Sequence, residues 1–226
     1  MGFVFDKSGV RCYLKRIEGV KKQQPPKNAC DTLSFLSMMQ YSSRFIRDLS
    51  SISEPLRKLT RSSQPWEWNV EKQRAFNLLK DRLCENIVSY YFDPTRHSTV
   101  VCYGSPVGIA SALYQTDDNG EMRLICFVSR ALTAVEQRYS QTCREATSVV
   151  YEYERLHQYL CNSDFTVLSD HLLLKTIFGN QSTKFPVRLE RLCFRLQPYQ
   201  FTFGDVAGEH NLSDYYSRHQ VNQARR

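Results

Sequence analysis

The chain has 226 residues, of which 42% are apolar and 12% are aromatic, so at least one apolar core is expected in one large domain or two small ones. No run approaches the roughly 18 to 20 apolar residues of a membrane-spanning helix, and the first residues lack the order of a signal peptide. These features exclude a membrane protein and indicate an intracellular one. The eight cysteines are scattered singly, without zinc spacing, and are expected to be free thiols.

The positive charge is concentrated in the first part of the chain. Residues 1–88 contain 16 Lys/Arg and 9 Asp/Glu, whereas residues 89–226 contain 14 of each, so the first part carries the whole net charge of +7. A basic segment joined to a neutral one favours binding of a polyanion by the first part. A solvated, lysine-rich helical face is the alternative, and composition leaves both open.

The first part predicts helices separated by breaks. After the proline pair at 25–26, apolar residues recur near helical spacing and predict a helix over about 32–47, with Asp31 or Thr32 as its N-cap. A short helix around 53–60 should follow. This part is therefore expected to be a small, mostly helical unit.

Two tryptophans precede another predicted helix. Trp66 and Trp68 could stack on nucleic-acid bases, although an anchoring role in the core is the simpler interpretation. Asn69 is a candidate N-cap for the helix that follows. The residues that this helix is expected to bury are Ala75, Phe76, Leu79 and Leu83.

From residue 98 onward the apolar pattern changes to strands alternating with helices. Turn-forming residues at 117–120 separate two of the strands, which predicts an antiparallel meander. The order is that of an α/β domain with a five-stranded mixed sheet flanked by helices. The predicted strands are 99–102, 109–115, 122–129, 165–168 and 201–206, and the predicted helices are 143–160, 171–178, 186–197 and 212–218.

Three acids lie where this order could bring them together. Asp170 follows a buried strand, Glu145 lies at the margin of the apolar face of a long helix, and Asp214 begins the last helix. Converging carboxylates generally hold a divalent metal such as Mg²⁺ or Mn²⁺. Each acid also has an ordinary interpretation as a helix cap or surface residue, and spacing alone does not find the site.

Two sets of basic residues are candidate phosphate contacts. One set recurs on one face of the predicted helix 186–197, and the other forms a dense cluster near the amino terminus. A solvated surface is the alternative for both sets. The first comprises Arg188, Arg191 and Arg195, and the second Lys15, Arg16, Lys21, Lys22 and Lys27.

Four ordered segments carry a resemblance to a known family. They are YSQTCREATSVVYEYERLHQYL, FTVLSDHLLLKTIF, RLERLCFRLQPYQFTF and AGEHNLSDYYSRH. They resemble the ribonuclease H domain in Pol polyproteins of gypsy-type LTR retrotransposons. Upstream segments, including LSFLSMMQYSSRFIRDLSSISEPLRKLT and PWEWNVEKQRAFNLLKDRL, resemble the end of the palm and the thumb of the reverse transcriptase in the same polyproteins.

The resemblance implies a domain order and a chemistry. It implies the end of the palm, a thumb and a connecting helix over 1–88, a ribonuclease H-like domain over 89–219, and a tail over 220–226. Ribonucleases H cleave the RNA strand of an RNA/DNA hybrid with four carboxylates that hold two Mg²⁺ ions. Carried over by motif, Glu145, Asp170 and Asp214 match three of these carboxylates.

The first family aspartate is missing, because Tyr103 stands in its place. A neutral phenol cannot replace a carboxylate at pH 7, so the resemblance predicts weakened or lost binding of Mg²⁺ or Mn²⁺. Losing one preorganised charged group commonly costs about 10² to 10³ in rate. Cys143, Thr147 and Ser148 are further departures on the same predicted helix.

The sequence leaves three functions open. The leading hypothesis is a Pol-derived segment with a ribonuclease H domain of impaired activity, acting on an RNA/DNA hybrid or another duplex. A non-catalytic nucleic-acid-binding module, such as a domesticated remnant, and a product without function are the alternatives. The chain contains no Y-x-D-D-like motif and no fingers or palm core, so polymerisation would require an upstream polymerase domain that this chain does not contain.

Overall fold

A computed structural model of the protein describes residues 2–61, 65–168 and 186–204. The helices predicted at 171–178 and 212–218 lie outside the described residues. Among the described residues, no helix has the length and apolar character needed to cross a bilayer. The eight cysteines all lie among the described residues and form no disulfide bonds.

A five-stranded sheet organises the later part of the chain, as predicted. The strands are β3 (Ser98–Gly104), β4 (Gly108–Thr116), β5 (Met122–Ala131), β6 (Asp164–Leu168) and β7 (Gln200–Gly204). Their order across the sheet is β5-β4-β3-β6-β7, so the first strand of the sheet in sequence is also the central one. The β3–β6 and β6–β7 pairs are parallel, with Val101 opposite Leu168 and Phe165 opposite Phe201.

A buried glutamine fixes the approach to β3. The side-chain amide of Gln115 donates to the carbonyls of Asp93 and Arg96 at 2.8 and 3.2 Å, and its oxygen accepts from the Asp93 amide at 2.9 Å. Buried backbone groups need such partners because an unpaired one costs the free energy of a lost hydrogen bond. Gln115 therefore provides hydrogen-bond partners for the backbone of the loop that leads into the central strand.

The amino-terminal part contains a β-hairpin that the sequence pattern did not predict. Its strands β1 (Phe3–Asp6) and β2 (Gly9–Cys12) pair antiparallel, and the turn between them is closed by Asp6, whose carboxylate accepts from the Ser8 amide at 2.8 Å. Each strand has only four residues, which is too short for a clear alternation of apolar and polar positions. The helices that follow are α1 (Leu14–Lys22), α2 (Ala29–Tyr41), α3 (Leu49–Lys58) and α4 (Val70–Cys84).

The bounds of α2 differ from the prediction at both ends. Its N-cap is Asn28, whose side chain accepts from the Asp31 amide at 2.8 Å, so neither Asp31 nor Thr32 caps the helix. The helix ends at Tyr41, and a 3₁₀ turn over Ser43–Phe45 follows it. Phe45 is nevertheless buried. The apolar spacing beyond the end of α2 therefore indicates buried residues and not a continued α-helix.

The second short helix, α3, begins earlier than predicted. Asp48 adopts a left-handed conformation, with φ of 54°, and the helix starts at the next residue, Leu49. The predicted start near residue 53 was placed too late because the preceding turn is not marked by glycine or proline.

The helical segment has its own apolar core. Phe35 of α2 packs against Phe76 of α4 with ring centroids 4.7 Å apart, and the predicted residues Ala75, Leu79 and Leu83 are all buried. Trp66 and Trp68 stack on each other at 6.0 Å and pack against this core. Their indole N–H groups donate to Thr32 and Gln73 at 3.3 and 2.8 Å, which supports the anchoring interpretation.

Within residues 139–168 and 186–204, the α-helices that accompany the sheet are α5 (Gln141–Arg155), α6 (His157–Leu160) and α7 (Val187–Leu196). The long helix predicted over 143–160 is interrupted at Leu156, which leaves α-helical geometry with φ of −94° and ψ of 7°. Leu156 and Leu160 are both buried, so the apolar stripe continues across the interruption. Tyr153 of α5 packs on Phe165 and Phe201 with ring centroids 5.1 Å away in each case.

The chain divides into two compact units. The first comprises the described residues of Met1–Phe92 with Gly104–Ala112 and Leu124–Arg138, and the second comprises Asp93–Tyr103, Leu113–Arg123 and the described residues of Tyr139–Arg226. Units defined by packing need not coincide with the domains of a sequence family. The domain boundaries predicted after residues 88 and 219 therefore stay predictions.

Replacing Asn69 with Ala should destabilise the first unit. The Asn69 side chain accepts from the Lys72 amide at 3.2 Å, as predicted for an N-cap, and the loss of such a cap typically costs about 1 kcal/mol. Urea unfolding followed by circular dichroism measures the change. Asn77→Ala, an exposed position inside the same helix, is the matched control and should stay within about 0.5 kcal/mol of the unsubstituted protein. Equal effects of the two substitutions would contradict the capping role.

Candidate active site and nucleic-acid-binding residues

The place predicted for the first metal ligand is the end of the central strand. Tyr103 is the penultimate residue of β3, which ends at Gly104. The parallel register pairs Val101 of β3 with Leu168 of β6. Parallel strands end at the same edge of a sheet, and this edge is where α/β folds commonly place functional groups.

Glu145 lies in the second turn of α5 and is 7% exposed. The helix begins after Ser140, whose hydroxyl accepts from the Cys143 amide at 3.4 Å. A glutamate buried to this degree interacts with other groups of the protein, because burial of an isolated carboxylate is costly. The predicted position of Glu145 at the margin of the apolar face agrees with this burial.

The hydroxyl groups of Thr147 and Ser148 form hydrogen bonds within α5. The Thr147 hydroxyl donates to the Cys143 carbonyl at 2.7 Å, and the Ser148 hydroxyl donates to the Glu152 carboxyl at 3.0 Å. The helix continues without interruption to Arg155. These polar residues therefore do not interrupt the helix that carries Glu145.

Glu152 is a buried titratable residue that the sequence pattern did not single out. Its side chain is 0% exposed, and burial raises its pKa well above the usual value for glutamate. The Cys102 thiol, next to Tyr103 on β3, also hydrogen-bonds this carboxyl. The signal available in the sequence was the spacing of seven residues from Glu145, which places both acids on one face of the helix.

The other two predicted ligands, Asp170 and Asp214, lie outside the described residues. Within residues 2–61, 65–168 and 186–204, no group of three or more His, Cys, Asp or Glu side chains is arranged to hold a metal ion. The convergence of Glu145, Asp170 and Asp214 therefore stays a prediction.

The basic face predicted around residues 188–195 forms on α7. Its arginines are exposed, and Leu189, Leu192 and Leu196 are buried. Arg195 donates to both carboxylate oxygens of Glu154 at 2.8 and 2.6 Å, so its charge is already partnered. The Arg188 guanidinium lies 4.1 Å from the ring centroid of Tyr139.

The amino-terminal basic cluster lies on α1 and the segment after it. Lys15, Lys21, Lys22 and Lys27 are exposed. Arg16 is different, because it donates to the Met38 carbonyl at 3.1 Å and its guanidinium lies 4.5 Å from the ring centroid of Tyr41. The four lysines are thus available to a partner, while Arg16 contributes to the packing of the first unit.

Comparison with known proteins gives this arrangement a context. Residues 68–167 match the family model of the RNase H-like domain found in reverse transcriptase. The chain is 27% identical over 233 residues to the retrovirus-related Pol polyprotein from transposon opus of Drosophila melanogaster, covering 96% of this chain and 23% of that protein. It is 28% identical over 207 residues to the Pol polyprotein from transposon 412 of the same organism, covering 90% and 16%.

A similar protein from a yeast also matches nearly the whole of this chain with a small part of its own length. The Tf2-3 transposon polyprotein of Schizosaccharomyces pombe is 24% identical over 221 residues, which cover 96% of this chain and 17% of that protein. The chain therefore spans less than a quarter of the length of these relatives.

Solved structures share the fold. The foamy viral protease-reverse transcriptase in complex with double-stranded DNA matches with a TM-score of 0.73 and 16% identity, covering 93% of this chain and 45% of that one. The same viral protein in complex with an RNA/DNA hybrid matches with a TM-score of 0.72 and 16% identity, covering 94% and 29%. The resemblance predicted from the sequence motifs is confirmed: residues 68–167 match the RNase H-like domain found in reverse transcriptase, and the chain is similar to Pol polyproteins of transposons.

Proposed function

We propose that the chain is a reverse-transcriptase segment whose RNase H-like domain binds nucleic-acid duplexes but has an impaired hydrolytic site. The observation that carries this proposal is the tyrosine at position 103, the penultimate residue of the central strand, where the family resemblance implies an aspartate. Glu145 on α5 matches the glutamate that the same resemblance implies. Asp170 and Asp214 are proposed to complete the remaining set of three carboxylates. Asp170 follows Leu168 by two residues, as Tyr103 follows Val101, and this register supports their proximity.

The residues present do not fit a complete two-metal site. Two Mg²⁺ ions carry four positive charges, whereas the three proposed acids supply at most three negative ones. Glu152 on α5 does not make up the difference, because seven residues of helix separate it from Glu145 by roughly 10 Å, compared with about 4 Å between the ions of such sites. Its carboxyl is also bonded to Ser148. We therefore propose that any binding of Mg²⁺ or Mn²⁺ is weakened or lost.

Two observations support duplex binding. The structural neighbours named above are foamy viral protease-reverse transcriptases in complex with double-stranded DNA and with an RNA/DNA hybrid. Lys15, Lys21, Lys22 and Lys27 are exposed in a part of the chain that carries the whole positive excess. Duplex binding draws most of its non-specific affinity from contacts of this kind with phosphates.

A second candidate function shares the binding but not the hydrolysis. In a purely non-catalytic nucleic-acid-binding module, the RNase H-like scaffold would serve only as a contact surface. The tyrosine at position 103 favours this candidate as well. Restoring the missing carboxylate distinguishes the two, because only an impaired hydrolase should regain activity.

Tyr103→Asp should create or greatly raise Mg²⁺-dependent cleavage of an RNA/DNA hybrid. The substitution supplies the missing negative charge and removes the bulk of the phenol, and one preorganised charged group commonly contributes about 10² to 10³ in rate. Cleavage of a labelled hybrid with and without Mg²⁺ measures the effect. Tyr103→Asn is the matched control, because it removes the same volume without adding the charge, and it should stay near the activity of the unsubstituted protein.

Two results of this experiment would contradict the proposed defect. One is strong cleavage by the unsubstituted protein, which would mean that another group completes the site. The other is a Tyr103→Asp variant that is folded by circular dichroism and binds the hybrid but does not cleave it. That result would favour the non-catalytic module.

Binding of duplex nucleic acid should depend on the lysine cluster and on salt. Lys21→Gln/Lys22→Gln should lower the magnitude of the log-log salt slope by up to about 1.8, since each phosphate contact contributes about 0.9 on B-form DNA. Fluorescence anisotropy at several salt concentrations measures the slope. Lys7→Gln/Lys58→Gln removes the same charge from exposed positions outside the cluster and should leave the slope nearly unchanged. Identical slopes for the two double variants would favour a merely solvated helical face.

A further inference from the structure

A buried polar cluster lies between α5 and β3. It consists of Glu152 and Ser148 on α5 and Cys102 on β3, which are 0%, 4% and 5% exposed. The Ser148 hydroxyl donates to one Glu152 oxygen at 3.0 Å, and the Cys102 thiol also hydrogen-bonds the carboxyl. The second oxygen, Oε2, is buried and accepts no hydrogen bond from the described residues. This Glu152 cluster takes no part in the proposed hydrolytic site.

The charged groups on the elements around α5 are directed elsewhere. Arg195 of α7 pairs with Glu154, on a different face of α5 from Glu152. His157 of α6 hydrogen-bonds the Tyr199 hydroxyl at 2.9 Å. On β3 the titratable group beside Glu152 is the Cys102 thiol, and on α5 it is the Tyr153 hydroxyl, which is buried as well. Among the described residues, therefore, no cation faces the Glu152 carboxyl.

The charge state of Glu152 follows from this environment. An ionised carboxylate that is fully buried requires a cation or several donors, and the cluster offers one hydroxyl and one weakly donating thiol. A neutral carboxylic acid requires fewer such partners, because the free-energy cost of burying a neutral polar group is much smaller than that of burying a charge.

We propose that Glu152 is a proton-dependent lock, in which the neutral acid holds α5 against β3 and loss of its proton loosens that packing. The inference concerns the folding of the second unit and does not depend on the proposed hydrolytic function. Because α5 also carries Glu145, the lock couples the placement of a predicted site residue to pH.

The sign of the pH dependence follows from the direction of the pKa shift. Burial raises the pKa of Glu152 in the folded protein, whereas the unfolded chain has the ordinary glutamate value of about 4.3. Between the two values the folded state retains a proton that the unfolded state releases. The stabilisation is therefore complete below about pH 4.3 and is lost progressively as pH rises toward the folded pKa.

Glu152→Gln tests the lock because glutamine resembles the neutral acid and cannot lose a proton. Urea unfolding of the full chain at several values between about pH 5.5 and 8 should show the folding equilibrium of the unsubstituted protein weakening, relative to Glu152→Gln, by up to about tenfold per pH unit. Glu154→Gln is the control, because it makes the same change at an exposed position of the same helix. It should show the same pH dependence of the folding equilibrium as the unsubstituted protein. Parallel pH dependence of Glu152→Gln and the unsubstituted protein would overturn the proposal.

A second measurement needs no substitution and tests the loosening itself. Hydrogen-exchange protection factors, which correct for the intrinsic effect of pH on exchange, should fall for α5 amides as pH rises from about 5.5 to 8. The α2 amides of the first unit serve as an internal control and should change less. If the protection of α5 stays constant or falls only in parallel with that of α2, Glu152 is not the lock.

Discussion

The parallel pairing of β3 with β6 is the constraint on which the later part of the structure depends. Parallel strands require a crossover connection, and here α5 and α6 lie in that connection. Tyr153 of α5 then packs on Phe165 of β6 and on Phe201 of β7, so one aromatic side chain ties the helix to two parallel strands. The strand that contains Tyr103 and the helix that carries Glu145 are therefore held together through β6.

The strand and helix order could be predicted from the sequence because burial leaves a periodic signal. The strands of the central sheet and the cap at Asn69 were predicted in this way and are present. The hairpin over residues 3–12 was not predicted, because four-residue strands are too short for a pattern. The carboxyl-terminal ends of α2 and of the helix predicted over 143–160 were placed too late, since the apolar spacing continues beyond the helices themselves.

The candidate site shows a different limit of sequence-based prediction. Motifs predicted roles, which stay predictions, for Glu145 and for the position of Tyr103. They did not reveal Glu152, since a glutamate within a helix ordinarily lies on its solvent face, and only the packing of α5 on Cys102 shows that this one is buried. The predicted absence of an acid at position 103 and the observed burial of Glu152 are therefore separate features, and only the second is visible in the packing of the described residues.

The segment between α4 and β3 is attached to the hairpin at Ser89. The amide and carbonyl of Ser89 exchange hydrogen bonds with Val10 at 2.8 and 2.7 Å, and its hydroxyl accepts from Arg44 at 3.0 Å. Gly9 has a positive φ of 133°, and a side chain there would overlap with the Ser89 carbonyl, so the close approach depends on glycine. A protein shortened to begin at residue 89 would lose the partner strand of its own first residue and leave these backbone groups to water. Any dissection of the chain for separate expression of its later part should therefore retain the hairpin or begin well beyond this attachment.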